Sequence, residues 1–543
     1  MSLILGPALR HVGETTASVW VQTSAPATVS VLGAAARTFE VAGHHFALVQ
    51  VTGLTPDTRT PYTVEIDGEQ VWPQASSPFP PSVIPTRGPA TADRAQVVFG
   101  SCRYPKVADP KLAKLLGIDA LDAFAARMAG APVDEWPEAL LLLGDQVYAD
   151  ELTPQNRRRI AARADRHPDW PDDEIVGFDE YVGLYRDAWT DPEIRWIMST
   201  VPTAMIFDDH DVRDDWNTSA AWRDEMRATS WWRTRIRSAL ASYWVFQHLG
   251  NLSPEELAVN AEWQQVRDHD GDAWPLLQAM ADRADAEGDD ASGARFSFRW
   301  DVGRTRIVMI DSRCGRILDG GQRLMLGASE FDWIEEQATA SGPDGDPVEH
   351  LVLGTSLPWL LPHAIGELQT VNEIAAARPG WRGRLGEEVR QAADLEHWAA
   401  FRVSFDRLTA LIGQTSRGGP ASVSVVSGDV HHSYAARAEL VDAGPGAAPV
   451  HQLVCSPVHN KLDWIVPIGF RAAWSRAATR LTDSWAIRAG APPKRVTWTK
   501  EAGPFFGNTI TTLALHGRSA VAVFEQPVTA ATLAVRARLE LTP

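Results

Sequence analysis

Cysteine is nearly absent: three residues, Cys102, Cys314 and Cys455, in 543. So sparse and odd a count builds no disulfide framework, and the fold must rest on packed apolar cores. Long apolar runs are also missing. The most apolar stretch, LVLGTSLPWLLPHAIG, is broken by Pro358 and Pro362 and falls short of the ~20 residues that a membrane-spanning helix needs. The N-terminus, MSLILGPALRHVGETTASVW, has no basic region and no twin arginine, and Pro7 interrupts its short apolar run. No secretory signal is read there, so cytoplasmic residence is the expectation. Positive charge is scarce, with 51 Lys and Arg against 69 Asp and Glu, a formal −18. That balance disfavours stable binding to nucleic acid or to an anionic membrane, and a polyanionic partner would need a local basic site.

What is present is ordinary globular composition, 45% hydrophobic and 22% charged, with an excess of tryptophan, 22 residues. A chain of this length holds several domains. Residues 17–72 read as strand after strand: ASVWVQT, TVSVLG, RTFEVAG, HFALVQVTGL and TPYTVEIDGEQVW, each closed by turn residues. The spacing predicts a small all-β sandwich, and LTPDTRTPYTVEIDG is similar to the strand-turn-strand end of Ig/fibronectin III-like modules. Pro73, Pro78, Pro80, Pro81, Pro85 and Pro89 then mark an extended linker.

Beyond it the texture changes to short apolar strands separated by helical stretches: QVVFGSC, ALLLLGDQVY, TAMIFDDH, TRIVMIDSR, HLVLGTS, SVSVVSGDVHH and HQLVCSP. Continuous apolar runs of this kind are strands buried on both faces, which predicts an α/β, α-β-β-α layered core. Residues 219–249 read as helical with Ser219 as cap and Gly250 as stop, and Ser253-Pro254-Glu255-Glu256 opens a further helix. The aromatic residues Trp222, Trp231, Trp232, Tyr243 and Trp244 are expected in helix-on-sheet core, and 267–293 as a solvated charged insertion. The last ~80 residues, with GFRAAWSRAATRLTDSWA, TITTLALHG and SAVAVFEQ, read as a cover on that core.

Polar chemistry gathers where strands stop: GSCR, GDQVYAD, DDHDVRDDWN and GDVHHS each follow an apolar run. The carboxyl ends of strands form the ligand crevice of open α/β sheets, so the four clusters are expected to meet. Asp145 and Tyr148 are hard oxygen donors, and a phenolate suits a strongly Lewis-acidic ion such as a ferric one. Asp208 and Asp209 are adjacent carboxylates at the rim of a core, which a nearby cation explains economically. His210 beside them is placed to donate a proton. In an extended segment Asp429 and His431 point to one side and His432 to the other, so the first two can share a metal. Cys102 supplies a possible thiolate ligand and Arg103 an anion clamp. Asp211, Arg213, Asp214 and Asn217 follow in the same loop as His210, where they either solvate the loop or, as for Asn217, touch substrate. Cys314 and Cys455 lack such company and read as structural.

The ordered set GSCR, GDQVYAD, DDHDV, IDSR, GTS and SGDVHHS resembles the PhoD-like metallophosphatase (alkaline phosphatase D) family of the metallophosphoesterase superfamily. GDQVYAD is also similar to the Gly-Asp-x-x-Tyr element of purple acid phosphatases. The resemblance implies a metal-dependent phosphoric ester hydrolase acting on a small phosphate ester. It makes Cys102 and Tyr148 ligands of one ion, Asp145 the bridge between ions, and Asp209, Asp429 and His431 further ligands. The implied metals are Fe(3+) and Ca(2+). LVLGTS offers Thr355 and Ser356 where the superfamily usually has a histidine ligand. The implied reaction is two-metal hydrolysis, with Arg103 and His210 stabilising developing charge and His210 or His432 protonating the leaving oxygen. Phosphodiesterase or phospholipase-like activity on the same centre is the nearest alternative, and a non-catalytic metal- or carbohydrate-binding protein the more distant one. The expected domains are 1–92 for the sandwich, 93–460 for the catalytic region with a helical insertion at about 151–300, and 461–543 for the cover.

Overall fold

A computed structural model describes all residues except 287–293, 319–322, 343–344 and 462–465. The N-terminal region forms two four-stranded sheets. One orders Leu3–Val12, Thr16–Thr23, His44–Thr52 and Phe39–Val41, and the other Ala34–Arg37, Thr28–Val31, Val64–Ile66 and Glu69–Trp72. Alternation explains how they pack: Ala17, Val19 and Val21 point into the space between the sheets with Val29, Val49 and Val64. The opposite face of the same strand is buried too. Trp20 packs on Phe46, Phe246 and Trp189 with ring centroids 5.9, 5.3 and 6.1 Å apart, which fuses the sandwich to the helices behind it.

The proline-rich stretch differs from the extended linker expected of it. Val83–Pro85 pairs antiparallel with Arg59–Pro61, and Ser82 bonds Ser199 side chain to side chain at 2.6 Å. Its carbonyls and hydroxyls meet the helix Pro192–Thr200, as where Trp196 Nε1 donates to the Pro80 carbonyl at 2.8 Å. Proline lacks an N–H but keeps its carbonyl, so such a segment docks through its acceptors.

Two larger sheets carry the core. Among the described residues one has six strands, in the order Thr203–Ile206, Ala139–Leu143, Arg94–Gly100, Ile510–His516, Ser519–Thr529 and Thr532–Glu540. The other has seven: Phe298–Val302, Thr305–Ile310, His350–Thr355, Ser422–Ser427, Val450–Val454, Ser433–Leu440 and Val496–Phe505. All seven apolar runs singled out in the sequence are strands of these sheets. Period-two alternation sends Val97, Phe99, Leu141, Leu143, Ile307, Met309 and Val426 between the sheets. Their neighbours Val98, Leu140 and Leu142 face helices such as Ala120–Ala129, while Val308, Ile310, Leu351 and Val425 face Ala328–Thr339 and Arg402–Arg417. The result is helix, sheet, sheet, helix, with each fully buried Leu, Ile or Val contributing ~1.5–3 kcal/mol.

The C-terminal strands correct the expectation of a cover. Ile510–His516 lies in the middle of the six-stranded sheet, antiparallel to Arg94–Gly100, and buries Ile510, Leu513 and Leu515. The central strand Arg94–Gly100 has only one parallel partner, and the chain returns at its end to satisfy the other edge. Helical residues expected over 219–249 form two helices, Ala220–Arg227 and Trp232–Phe246. Ser219 caps the first by accepting the Trp222 N–H, and Ser253 and Glu256 form the reciprocal cap of Pro254–Val259. Trp222, Trp232, Tyr243 and Trp244 are buried as core. Within the charged stretch, Trp274–Asp285 is a helix that buries Leu277 and Met280, while 287–293 lie outside the described residues.

Candidate metal centre

Four strand ends converge. Arg94–Gly100, Ala139–Leu143 and Thr203–Ile206 run parallel side by side, so Cys102, Asp145 and the Asp208-Asp209-His210 turn leave the sheet at one rim. Ser422–Ser427 of the facing sheet delivers Asp429 and His431 to the same rim. Backbone bonds stitch the ends together: Cys102 N–H to the Gly144 carbonyl at 3.2 Å, Arg103 N–H to the Asp145 carbonyl at 3.1 Å, and Asp429 N–H to Ser101 Oγ at 3.1 Å. Two glycines permit this approach. A Cβ on Gly428 would lie 2.0 Å from Ser101 Oγ, and one on Gly144, at φ +111°, would lie 2.6 Å from Asp208 Cβ.

Strain concentrates at the same place. Cys102, Asp145, Asp429 and His431 all hold left-handed backbone, with φ of 55°, 52°, 66° and 49°. For non-glycine residues this costs of order 1–3 kcal/mol each and persists only where surrounding structure imposes it. Asp211 is part of that imposition. It is buried and accepts backbone N–H bonds from Asp145 at 3.0 Å, Asp208 at 2.9 Å and Val147 at 3.3 Å. It therefore shapes the loop rather than solvating it, and burial raises its carboxyl to about 7.

Two groups of donor atoms are close enough to hold a cation, Asp145 with Asp209 and His210, and Asp208 with Asp209 and Asp429, each within 4.8 Å. Burial, then the nearby carboxylates, push Asp145 and Asp208 well above the usual carboxylate range, and Asp209 is raised as well. Asp145 Oδ1 and Asp208 Oδ2 are buried with no hydrogen-bond partner. The Asp145 oxygen, at the cavity and next to other carboxylates, is what a cation satisfies, so the donor set around it fits a metal. Asp429 behaves differently. Despite burial, the His397 Nε2–H bond at 3.0 Å and the Arg313 guanidinium hold it at about 2.

Cys102 and Tyr148 lie at the edge of this group. The Cys102 thiol is pushed well up by burial and then by Asp145 and Asp429, and Ser456 Oγ donates to its sulfur at 3.3 Å. The Tyr148 phenol is raised by burial, Asp145 and Cys102, and its oxygen accepts from Asn460 Nδ2 at 2.8 Å. Both groups are protonated in the metal-free chain, and a strong Lewis acid is needed to bring either into ligation.

His210 is set by a residue that sequence reasoning did not single out. Asp150 Oδ1 bonds His210 Nδ1 at 2.9 Å. Burial opposes the charge, but Asp150, Asp209 and Asp145 outweigh it and hold His210 well above the ordinary imidazole range. Asp145, Asp209, His210, Asp429 and His431 line one open cavity of about 320 Å³, which Leu361, Ile365, Val430 and Phe470 line as well.

Three expected residues stand elsewhere. Arg103 is buried and turns from the cavity: Nε donates to Asp119 at 2.8 Å, Nη2 to Asp191 at 2.9 Å and Nη1 to the Ala188 carbonyl, which leaves no nitrogen for an anion clamp. His432 is fully buried, with Nδ1 on the Val430 carbonyl at 2.8 Å and its ring 4.0 Å from that of Phe470. Burial lowers it to about 4, and it does not line the cavity. Asn217 gives its amide to the Arg313 carbonyl at 3.2 Å and does not line the cavity. Thr355 and Ser356 are also engaged, accepting from Trp398 Nε1 at 3.3 Å and pairing with Ser312 at 2.8 Å. A histidine arrives beside Asp429 from another segment, His397, in a stretch whose sequence carries no strand-end signal. Arg313 had one, since IDSR follows the strand Thr305–Ile310.

Comparison with known proteins follows this geometry. Residues 1–84 match a domain family of unknown function, DUF7800, and residues 123–267 match the PhoD-like phosphatase family. No curated protein matches the chain. Among solved structures, one of PhoD is similar with a TM-score of 0.59 and 12% identity, covering 99% of this chain and 90% of that one. The purple acid phosphatase PPD1 from yellow lupin (Lupinus luteus) seeds is similar with a TM-score of 0.49 and 12% identity, covering 99% and 74%. Over residues 123–267, which carry Asp145, Tyr148 and the Asp208-Asp209-His210 turn, the chain is a PhoD-like phosphatase family match, and its fold resembles that of PhoD.

Proposed function

We propose that the chain hydrolyses phosphoric esters at a two-metal centre, with phosphatase activity of the alkaline phosphatase D type. The observation that carries this reading is the meeting of Asp145, Asp209 and His210 at the cavity, with a buried Asp145 oxygen lacking any partner. Asp145 would bridge, with Cys102 and Tyr148 on a ferric ion and Asp209, Asp429 and His431 on a calcium ion. Such cations supply Lewis-acid polarisation of the phosphoryl group and make a nucleophilic water available near neutral pH.

The chain's own residues do the rest. No Lys or Arg lines the cavity among the described residues, so the carboxylates gather the positive charge that an anionic ester needs. His210, with Nδ1–H given to Asp150, keeps its second ring proton on Nε2 for the leaving oxygen. Leu361, Ile365, Val430 and Phe470 offer an apolar wall to the ester's organic part.

Two experiments test this. Purified protein should contain iron by elemental analysis, lose activity to chelators and turn over p-nitrophenyl phosphate. Faster turnover of bis-p-nitrophenyl phosphate would assign the diester reading, and hydrolysis of neither by a metal-loaded, folded protein would support a binding protein instead. Asp150→Asn removes the carboxylate that holds His210 protonated. The alkaline limb of the kcat profile should then move to lower pH, since the acid form of His210 is lost sooner as pH rises. An unmoved limb rules out His210 as the proton donor.

A further inference from the structure

We propose that Arg313 is the fixed counter-ion of the second acid group, so that no metal ion sits among Asp208, Asp209 and Asp429 together, while Asp209 and Asp429 keep their cavity side for the ions beside Asp145. The inference deepens the hydrolase reading, on which it rests for the ions at Asp145. The two acid groups share Asp209 and look alike as lists of ligands, but their surroundings differ. Arg313 Nε donates to Asp208 Oδ1, and Nη2 stands 3.3 Å from Asp209 Oδ2 and 3.8 Å from Asp429 Oδ1. One planar cation thus reaches all three carboxylates of that group.

It cannot swing away. Arg313 is fully buried, its Nη1 donates to Glu396, its N–H goes to Asp311 Oδ1 at 2.8 Å and its carbonyl accepts from Asn217. Glu396 is occupied in turn by Arg316, at 3.2 Å. A divalent ion between Asp208 and Asp429 would sit against this immobile positive charge beside the fully buried Asp208, where like charges repel strongly. The buried unpartnered oxygen of the group, Asp208 Oδ2, does not open to the cavity. A Cβ on Gly144 would lie 3.2 Å from it, and Asp208 is fully buried and absent from the cavity wall. Asp145, by contrast, lines the cavity, makes no ion pair with a Lys or Arg among the described residues, and leaves its buried Oδ1 without a hydrogen-bond partner. Arg313 is accordingly a positioning residue. Its charge faces Asp209 and Asp429 from the interior and confines metal to the Asp145 side.

The test is Mn(2+) stoichiometry of the metal-stripped full chain after equilibrium dialysis, for wild type, Arg313→Gln and Arg313→Lys. Arg313→Gln should bind one more Mn(2+) per chain than wild type, and Arg313→Lys, which keeps the charge, should match wild type whatever its melting temperature. Equal stoichiometry in folded Arg313→Gln and wild type overturns the proposal. Should Arg313→Gln not fold, anomalous scattering from Mn(2+)-loaded wild-type crystals decides. A peak is expected at Asp145 and Asp209, and a peak ligated by both Asp208 and Asp429 overturns the proposal. Failure of the hydrolase reading shows separately, as a metal-loaded wild type that cleaves no phosphate ester.

Discussion

Asp145→Asn should abolish ester hydrolysis, by on the order of 10³-fold or more, while making the metal-free protein more stable. The two effects have one cause. Asp145 is buried beside Asp208, Asp209 and Asp211, and its carboxyl binds a proton more tightly in the folded chain than in the unfolded one. Folding then takes up a proton, so stability contributed at this site falls as pH rises above the ordinary carboxylate range towards the folded pKa. At neutral pH the metal-free fold bears that repulsion, and Asn removes it. With metal bound the sign reverses, because the anion is then the ligand and the amide a poorer one. Thermal melts of both forms with and without metal at pH 7, beside turnover of p-nitrophenyl phosphate, measure all of this. Near-normal activity in Asp145→Asn would remove Asp145 from the centre.

Arg103→Met should destabilise the fold by about 3–5 kcal/mol and leave kcat of the folded fraction within a few-fold of wild type. Arg103 is buried among Asp119, Asp191 and Asp122, and these carboxylates hold its pKa above the ordinary value against the cost of burial. Removing the cation strands buried acids, and Asp122, which burial and Asp119 already raise to about 7, gains a further proton affinity. Denaturant unfolding gives the first quantity and active-site-normalised turnover the second. A collapse of kcat with unchanged stability would restore Arg103 to the chemistry.

Arg103 and its neighbour Cys102 show how far local sequence patterns reach. Cys102 and Arg103 are adjacent just past a strand, and the left-handed backbone at Cys102 breaks the strand alternation there. The guanidinium turns from the centre, and GSCR alone does not say which of the two faces in. In the GDVHH segment Asp429 and His431 reach the cavity and His432 is buried, but Val430 between the first two lines the cavity too, because the left-handed backbone at Asp429 and His431 replaces the extended alternation expected there. Asp211 and Asp150 sat within motifs already singled out, but an acid that caps backbone N–H groups and one that solvates a loop look identical as letters. His397 belongs to a stretch with no strand before it and meets Asp429 only because that segment folds over the rim.

Amino-acid order alone determined the seven core strands, the β-rich N-terminal region and the four polar strand ends, because period-two burial and abrupt apolar-to-polar boundaries are local and strong signals. Tertiary structure decided which of the polar residues face one another. It brought Arg313 under three carboxylates, set Asp150 on His210, sent Arg103 and His432 into the core, and inserted Ile510–His516 into the central sheet. Each of those outcomes depends on charge neutralisation or edge pairing between segments far apart in sequence, which no local pattern encodes.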